Sequence, residues 1–524
     1  MAATRSAARS RAVVVGGGFV GLSCALHLQR TGAFSHVLLM EAGAEVGGRQ
    51  SASNGNAGTF AYYANVPVQR PGLWREAPGM ILSPTGALRL AATPHLARML
   101  PWAAGALASC APAEVRKTAL ALGTLLRRAE DGYRGAWDQA GVDVDGPMGR
   151  YAPSPAARGD AFAARRGYLL LQRDVHSASS RAVAALRAEG LDMPPERLAM
   201  HALDQAAVLE LEPNLAPEAA RGGAWFFERG WFLRDPAALL AAMRDGFARR
   251  GGEIRCSDEG ITSGDPSDPG SRDTRRSGRV TSLASTADGT VRVGASDGSF
   301  VDAARVVVAA GARSADLARQ CGDDVPLDTE RGYHVQWGLE GEEEGGGVGA
   351  RGGVGANVTV GGGGVANGPT FAGDPSAALA RPVCTPEGGF IATPMSRGLR
   401  SAGLVELGGL DAAPVAARFE QLERATRALL REDVAAALGG RDASRDWLGF
   451  RPTLPDALPI IGDARGVPGV TYAFGHQHVG WTLGGVTGEI VADLARGREP
   501  GVDLAPFSPR RFEKKLWWRP FKST

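Results

Sequence analysis

The sequence predicts an α/β fold in which a Rossmann-like domain, assembled from both ends of the chain, carries an inserted α+β domain. Three observations predict it. A short apolar strand runs into a glycine-rich turn and a helix near residue 12; a second strand-turn-helix pattern follows near residue 470; and the chain between them mixes strands with helices.

The first element is Ala12 to Val15, a buried-strand pattern that enters Gly16-Gly17-Gly18-Phe19-Val20-Gly21 and a helical stretch from Leu22 to Thr31. This is GxGxxG in its strand-turn-helix setting. Gly16 permits the tight turn, Gly18 lets a pyrophosphate approach the backbone, and Gly21 lets the helix pack closely on the sheet. The N–H groups at the helix start then face the phosphates. The next strand, His36 to Met40, ends at Glu41, where a carboxylate accepts hydrogen bonds from both ribose hydroxyls and disfavours a 2′-phosphate. The pattern binds a dinucleotide without separating FAD from NAD.

At the far end, Val470 to Phe474 reads as a strand entering Gly475-His476-Gln477-His478-Val479-Gly480-Trp481-Thr482, and Leu483 to Arg496 continues with helical periodicity. Such a turn supplies N–H groups and a positive dipole end, which in a flavin site favour negative charge at the N1/C2=O edge of the reduced ring. It also reads as a plain βα corner. His476 and His478 form an HxH pair, but no third ligand stands at a readable spacing, so no metal is expected.

Between the two ends, Arg305 to Ala309 reads as a strand followed by Ala310-Gly311 and a helix from near Ser314. Amphipathic stretches at Glu114 to Ala140 and Ser177 to Glu189 read as helices, while Gly388 to Pro394 and Gly403 to Gly408 read as neighbouring strands. Ser257 to Gly278 and Glu340 to Ser376 are rich in glycine and polar residues, bury too little apolar area to offset chain entropy, and read as surface insertions. No internal repeat is present. The expected organisation is a tail (1–11), a first nucleotide segment (12–90), a mainly helical substrate or cap region (91–200), a mixed region (201–330) with nucleotide segments near 225–256 and 279–318, a substrate-domain sheet (331–448) interrupted at 340–376, a last nucleotide segment (449–500) and a second tail (501–524).

Composition narrows the function classes. The 58 basic and 56 acidic residues leave a net charge of +2, so no global field selects nucleic acid. The five cysteines are far apart and odd in number, against a zinc knuckle or a disulfide framework and in favour of a reducing compartment. The most apolar stretch, Leu100 to Ala111, is too short to span a bilayer and is interrupted by Pro101. Arg5, Arg9 and Arg11 among Ala and Ser read as an unstructured tail or as the start of an organellar transit peptide. A cytoplasmic or mitochondrial-matrix location is expected. The closing Lys514-Lys515-Leu516-Trp517-Trp518-Arg519-Pro520-Phe521-Lys522 suits either peripheral contact with a membrane surface or docking on the protein itself.

These motifs, with Ser53-Asn54-Gly55-Asn56-Ala57-Gly58, Gly449-Phe450-Arg451-Pro452 and Pro459-Ile460-Ile461-Gly462, resemble the D-amino-acid oxidase and glycine oxidase superfamily. Asn56-Ala57-Gly58, Arg70-Pro71-Gly72 and Gly475-His476 through Gly480-Trp481-Thr482 look most like its D-amino-acid dehydrogenase branch. The resemblance implies FAD and a substrate domain whose mixed sheet covers the flavin. It implies that Gly16, Gly18, Phe19, Val20, Gly21, Glu41 and Ala42 hold the ADP half. Ser53, Asn56, Ala57 and Gly58 line the pyrophosphate and isoalloxazine, Arg49 is a further cofactor-binding residue, and Val280 touches the adenine side. Ala310 and Gly311 close over the phosphates, while Gly475, Gly480, Trp481 and Thr482 meet the pyrimidine edge. Covalent relatives carry a flavin-linking Cys near the position of Arg451, so dissociable FAD is expected here.

A guanidinium fork holds a carboxylate bidentately, which makes Arg451 the expected substrate anchor, with Tyr333 and His478 as further pocket residues. His478 stands where the branch carries Thr or a similar small residue. The expected reaction is hydride transfer from the Cα of a small amino acid to flavin N5, followed by hydrolysis of the imine to a 2-oxo acid and ammonia, with oxygen or a quinone as electron acceptor. A secondary-amine oxidase of the sarcosine, proline or hydroxyproline type and a non-catalytic flavin-binding assembly factor are the alternatives.

Overall fold

The computed structural model describes residues 10–257, 278–338 and 374–513, apart from single positions 84, 92, 387 and 397. Most of the residues read as insertions, the arginine-bearing start and the basic aromatic tail lie outside the described residues.

The strand Arg11–Val15 is apolar on both faces and takes the centre of a six-stranded sheet. His36–Glu41 and then Glu253–Cys256 pair on one side of it, and Arg305–Val308 and then Val470–Phe474 on the other, all parallel. Ile460–Asp463 closes the edge antiparallel. Near-continuous Val, Leu and Ile runs are what strands buried on both faces require. This nucleotide-type domain is therefore discontinuous, drawing strands from both ends of the chain and from its middle. A three-stranded antiparallel meander, Val280–Ser285, Val291–Ala295 and Phe300–Ala303, packs beside it.

The second layer is a mixed sheet. Its order is Trp447–Thr453, Asp328–Trp337, Gly398–Leu407, Phe390–Met395, Val383–Thr385, Tyr168–Leu171, Ala224–Phe227 and Met200–Leu203, with Leu88–Leu90 added on Gly398–Leu407. The neighbouring strands read at 388–394 and 403–408 are Phe390–Met395 and Gly398–Leu407, joined antiparallel.

Both glycine turns open helices three residues earlier than the periodicity shows. The opening helix is Phe19–Arg30 and the closing helix Gly480–Ala495. The stretch read as helical from 114 to 140 is two helices, Pro112–Leu126 and Ala129–Ala140, parted at Arg127 and Arg128. The first of the pair packs on the helix Ala178–Gly190 through Gly123 and Gly190, and the second packs on the nucleotide layer. A Cβ on Gly132 would enter the backbone of Gly485 and Val486, and the Gly132 carbonyl accepts from His27 Nε2 of the opening helix at 2.8 Å. Among the described residues no helix is long and apolar enough to cross a membrane. All five cysteines are unpaired thiols.

Two measurements test this packing. Gly132→Val forces apart two helices in backbone contact, so the expected cost is roughly 1–3 kcal/mol of stability by denaturant titration. Burial lowers the pKa of His27 to about 4 and of His334 and His476 to about 3. The unfolded chain therefore binds more protons below pH 6.5, and stability is lost as pH falls from about 6.5 towards 4. The melting temperature is expected to decline steadily through that window; a flat profile contradicts neutral buried imidazoles.

Candidate active site

The first turn is built as a cradle. Gly16 has φ +107°, and a Cβ there would collide with the Ala309 carbonyl. At Gly21 a Cβ would strike the Gly16 carbonyl itself, so only glycine lets the helix start this close to the strand. Phe19 N–H donates to Ser53 Oγ at 3.0 Å, while the N–H groups of Val20 and Gly21 belong to the first helical turn and have no intrahelical acceptor. Glu41 ends its strand beside this turn, its Oε2 accepting from Gly17 N–H at 2.6 Å and its Oε1 from Gly43 N–H at 2.7 Å. Ala42 follows, half-buried. The backbone of Gly278 runs against the Glu41 carbonyl, which brings Val280 to the same end of the sheet. Ala309 N–H donates to Val15 O at 2.8 Å, so Ala310 and Gly311 lie directly over Gly16. An acidic ribose partner, backbone N–H groups and no room for Cβ atoms form a donor set that fits the ADP half of FAD.

The loop from Ser53 to Gly58 crosses from this cradle to the second sheet. Asn56 ties it into a turn, donating from Nδ2 to Ser53 O and accepting from Gly58 N–H, each at 2.6 Å. Gly58 has φ +70° and presses on the Leu233 carbonyl. The mixed sheet grips the loop from outside. Thr393 Oγ1 donates to Ala57 O at 2.9 Å, and Arg400 Nη1 donates to Asn54 O at 3.3 Å and Asn56 O at 3.0 Å. The closing helix meets the same loop: Ala61 N–H donates to Thr482 Oγ1 at 3.0 Å, and the rings of Phe19 and Trp481 lie 3.6 Å apart. The two glycine turns thus converge, with Gly480 opening the closing helix. Gly475, at φ +83°, bends the preceding chain against Leu454. Arg49 Nη2 donates to the carbonyls of Ser444 at 2.7 Å and Asp446 at 2.8 Å, a clasp between loop and sheet.

Cross-strand partners share a sheet face. Arg451 stands opposite Glu330, and His334 is paired with both Trp447 and Ala402. These residues face the 53–58 loop, since His334 Nδ1 hydrogen-bonds the Gly55 carbonyl at 2.8 Å. The Arg451 side chain lies flat across Gly332, Nη1 donating to Leu404 O at 2.9 Å. Burial lowers its pKa, and the Glu330 charge partly restores it. Gln477 adopts φ +49°; its N–H donates to Pro452 O at 2.8 Å and its Nε2 to Glu330 Oε1 at 3.0 Å. That bond network fixes the closing turn to the Arg451 strand and brings His478 near Arg451. His478 is exposed, and the protein around its ring pushes its pKa down to about 4, with the Arg451 charge adding to the shift. Exposed His478 and half-buried Arg451 mark the solvent-facing side of the sheet front, and the space before them is the recess. His476 turns the other way, its Nε2 on Thr487 Oγ1 at 2.9 Å. Among the described residues no group of three or more His, Cys, Asp or Glu comes together to hold a metal.

Tyr333 is corrected by the structure. It points to the opposite face, where its hydroxyl donates to Glu406 Oε1 at 2.8 Å, its ring packs edge-on to Phe419, and burial with Glu406 pushes its pKa up to about 12. Glu406 also pairs with Arg331 at 3.2 Å, both fully buried. Tyr333 therefore supports the back of the sheet and does not line the recess. Sequence reading also missed Glu330, Arg400 and Gln477. Their neighbours are set by strand register, which no local motif carries.

The comparisons agree with this geometry. The family model described as FAD dependent oxidoreductase (DAO) matches residues 11–494. A D-amino-acid oxidase from Bradyrhizobium diazoefficiens is 31% identical over 508 residues, covering 95% of this chain and 98% of that protein. A D-amino acid dehydrogenase 2 from Ralstonia nicotianae is 27% identical, covering 95% and 99%. Among solved structures, glycine oxidase from Geobacillus kaustophilus shares the fold with TM-score 0.57 at 20% identity, over 96% of this chain and 98% of that one. A turn whose donors fit the ADP half of FAD, a second turn that converges on it and a near full-length family match lead to one assignment: the chain belongs to the DAO family of FAD-dependent oxidoreductases.

Proposed function

We propose that this enzyme oxidises the Cα–N bond of a small amino acid, D-configured as in the relatives named D-amino-acid oxidase and D-amino acid dehydrogenase, to an imine that hydrolyses to a 2-oxo acid and ammonia. The observation that carries the reading is Arg451, enclosed by protein and held across the sheet face that grips the 53–58 loop. FAD, when bound, supplies the acceptor for the Cα hydride. The chain supplies the rest. Arg451 spends part of its donor fork on Leu404 and Gly403 and keeps the remaining N–H groups for a carboxylate. Glu330, whose pKa burial raises, stands beside it with its Oε1 occupied by Gln477 and Thr453, and so sets the Arg451 orientation. His478, neutral above about pH 4, offers a ring nitrogen to the substrate amine. Fixing the carboxylate leaves the Cα–H one orientation towards the cofactor, an effect of proximity that needs no side-chain base.

The cofactor is held by hydrogen bonds and packing alone in this reading, with Arg451 where covalent relatives carry Cys. Glu41→Ala is expected to weaken FAD retention roughly 10- to 100-fold, the value of charge-assisted hydrogen bonds. Loss of visible flavin absorbance on gel filtration checks it, and yellow colour that stays with the protein through denaturing precipitation contradicts dissociable FAD. Anaerobic flavin bleaching across D-, L- and N-alkyl amino acids tests the substrate class. Arg451→Met is expected to lower kcat/KM about 100-fold or more through lost positioning; an unchanged value removes Arg451 as the carboxylate anchor.

A further inference from the structure

One half-buried cation on the front face of the mixed sheet has no counter-charge among the described residues. Arg187 projects from the helix Ala178–Gly190, its guanidinium carbon 5.6 Å from the centre of the Phe227 ring. Its Nε is buried without a hydrogen-bond partner, and the groups that act on its charge are Tyr63, Tyr168 and Cys384, with no carboxylate among them. Those three form a cluster of their own. Tyr63 stacks on Phe227 at 3.7 Å, its ring centre lies 5.0 Å from that of Tyr168, and Cys384 is paired with Leu170, which shares the sheet face of Tyr168. Burial raises the pKa of all three, so they are neutral donors around the cation. An unpaired charge in such surroundings is costly, and an anion that accepts from the guanidinium and a tyrosine hydroxyl removes the cost.

The cluster shares its sheet face with Arg451. Cys384 is paired with Ile391, Ile391 with Ala402, and Ala402 with His334. Cys384 lies two strands from Gly398–Leu407, and the Leu404 carbonyl that holds Arg451 lies two residues along from Ala402, a separation of roughly 12 Å from strand spacing and rise. Arg187 and Cys384 each keep accessible surface, as Arg451 and His478 do. Ala57 is fixed in front of the strand Phe390–Met395, which runs between the two cations.

We propose that Arg187, with Tyr63 and Tyr168, forms a second anion subsite that receives the side-chain carboxylate of a dicarboxylic amino acid whose main-chain carboxylate is held by Arg451. This rests on the oxidation reading above and deepens it, naming substrates of aspartate or glutamate length. Arg187 acts in specificity and takes no part in bond breaking.

The test uses the FAD-loaded enzyme. Wild type is expected to oxidise D-glutamate or D-aspartate with kcat/KM roughly 10- to 100-fold above D-alanine, the value of one charge-assisted pair. Arg187→Gln is expected to lower that ratio by the same factor, mainly through KM, and Arg187→Lys to recover part of it. Perturbation of flavin absorbance by glutarate against butyrate reads the same preference in wild type without relying on a variant that folds. Equal binding of the two acids, or a ratio unmoved by Arg187→Gln, overturns the subsite while leaving amino-acid oxidation standing. Absence of bleaching by every amino acid, with glutarate still bound more tightly than butyrate, overturns the oxidation reading and leaves the subsite.

Discussion

Everything in the site depends on helices brought into backbone contact. The opening helix, the helix Ala129–Ala140 and the closing helix meet through glycines: Gly132 against Gly485, Gly484 against Phe19 and Tyr133, and Gly488 against the Ser23 carbonyl. A Cβ at Gly132, Gly485 or Gly488 would push the helices apart. The closeness sets Phe19 on Trp481 and Ala61 on Thr482, and those contacts make two distant glycine turns into one binding surface. The cost is that glycine inside a helix weakens it by roughly 0.5–1 kcal/mol relative to alanine. Tight packing of long apolar helix faces offsets that loss, as the buried Leu, Val and Ile of the closing helix show.

The front of the mixed sheet distributes positive charge unevenly, and the distribution separates structure from chemistry. Arg400 commits four of its five donors to Asn54 O, Asn56 O and Gln336 Oε1, so it serves as a rivet between sheet and loop. Arg451 is partly committed to carbonyls and retains donors. Arg187 has no acidic neighbour among the groups that act on it. A buried guanidinium satisfied by neutral carbonyls keeps its charge and still holds its place, whereas one without such partners calls for a ligand.

Much of the nucleotide domain was legible in the sequence because its signals are local. Glycines at fixed offsets, a strand that ends in an acid and a helix that follows at once are all read within a few dozen residues, and the structure places them at Gly16, Gly21 and Glu41 as read. The substrate face was less legible. Glu330, Tyr333 and His334 lie within five residues of one strand, yet Glu330 and His334 face the recess and Tyr333 faces the core behind it. The irregular register between Arg331 and Tyr333, against Glu406 and Gly403, is a property of the pairing and not of any one segment. Arg187 was invisible for a different reason: on an amphipathic helix it reads as one more solvated cation, and only the arrival of Tyr63, Tyr168 and Cys384 from three other segments encloses it.

The discontinuity of the parallel sheet also governs how the chain is made. Its central strand, Arg11–Val15, is translated well ahead of its neighbour Arg305–Val308 and of the next strand, Val470–Phe474. At ordinary synthesis rates of about 5–20 residues per second, roughly half a minute to a minute and a half separates first strand from last. During that interval an apolar edge waits without its partner, and the cofactor surface is complete only once Val470–Phe474 and the turn after it have been made.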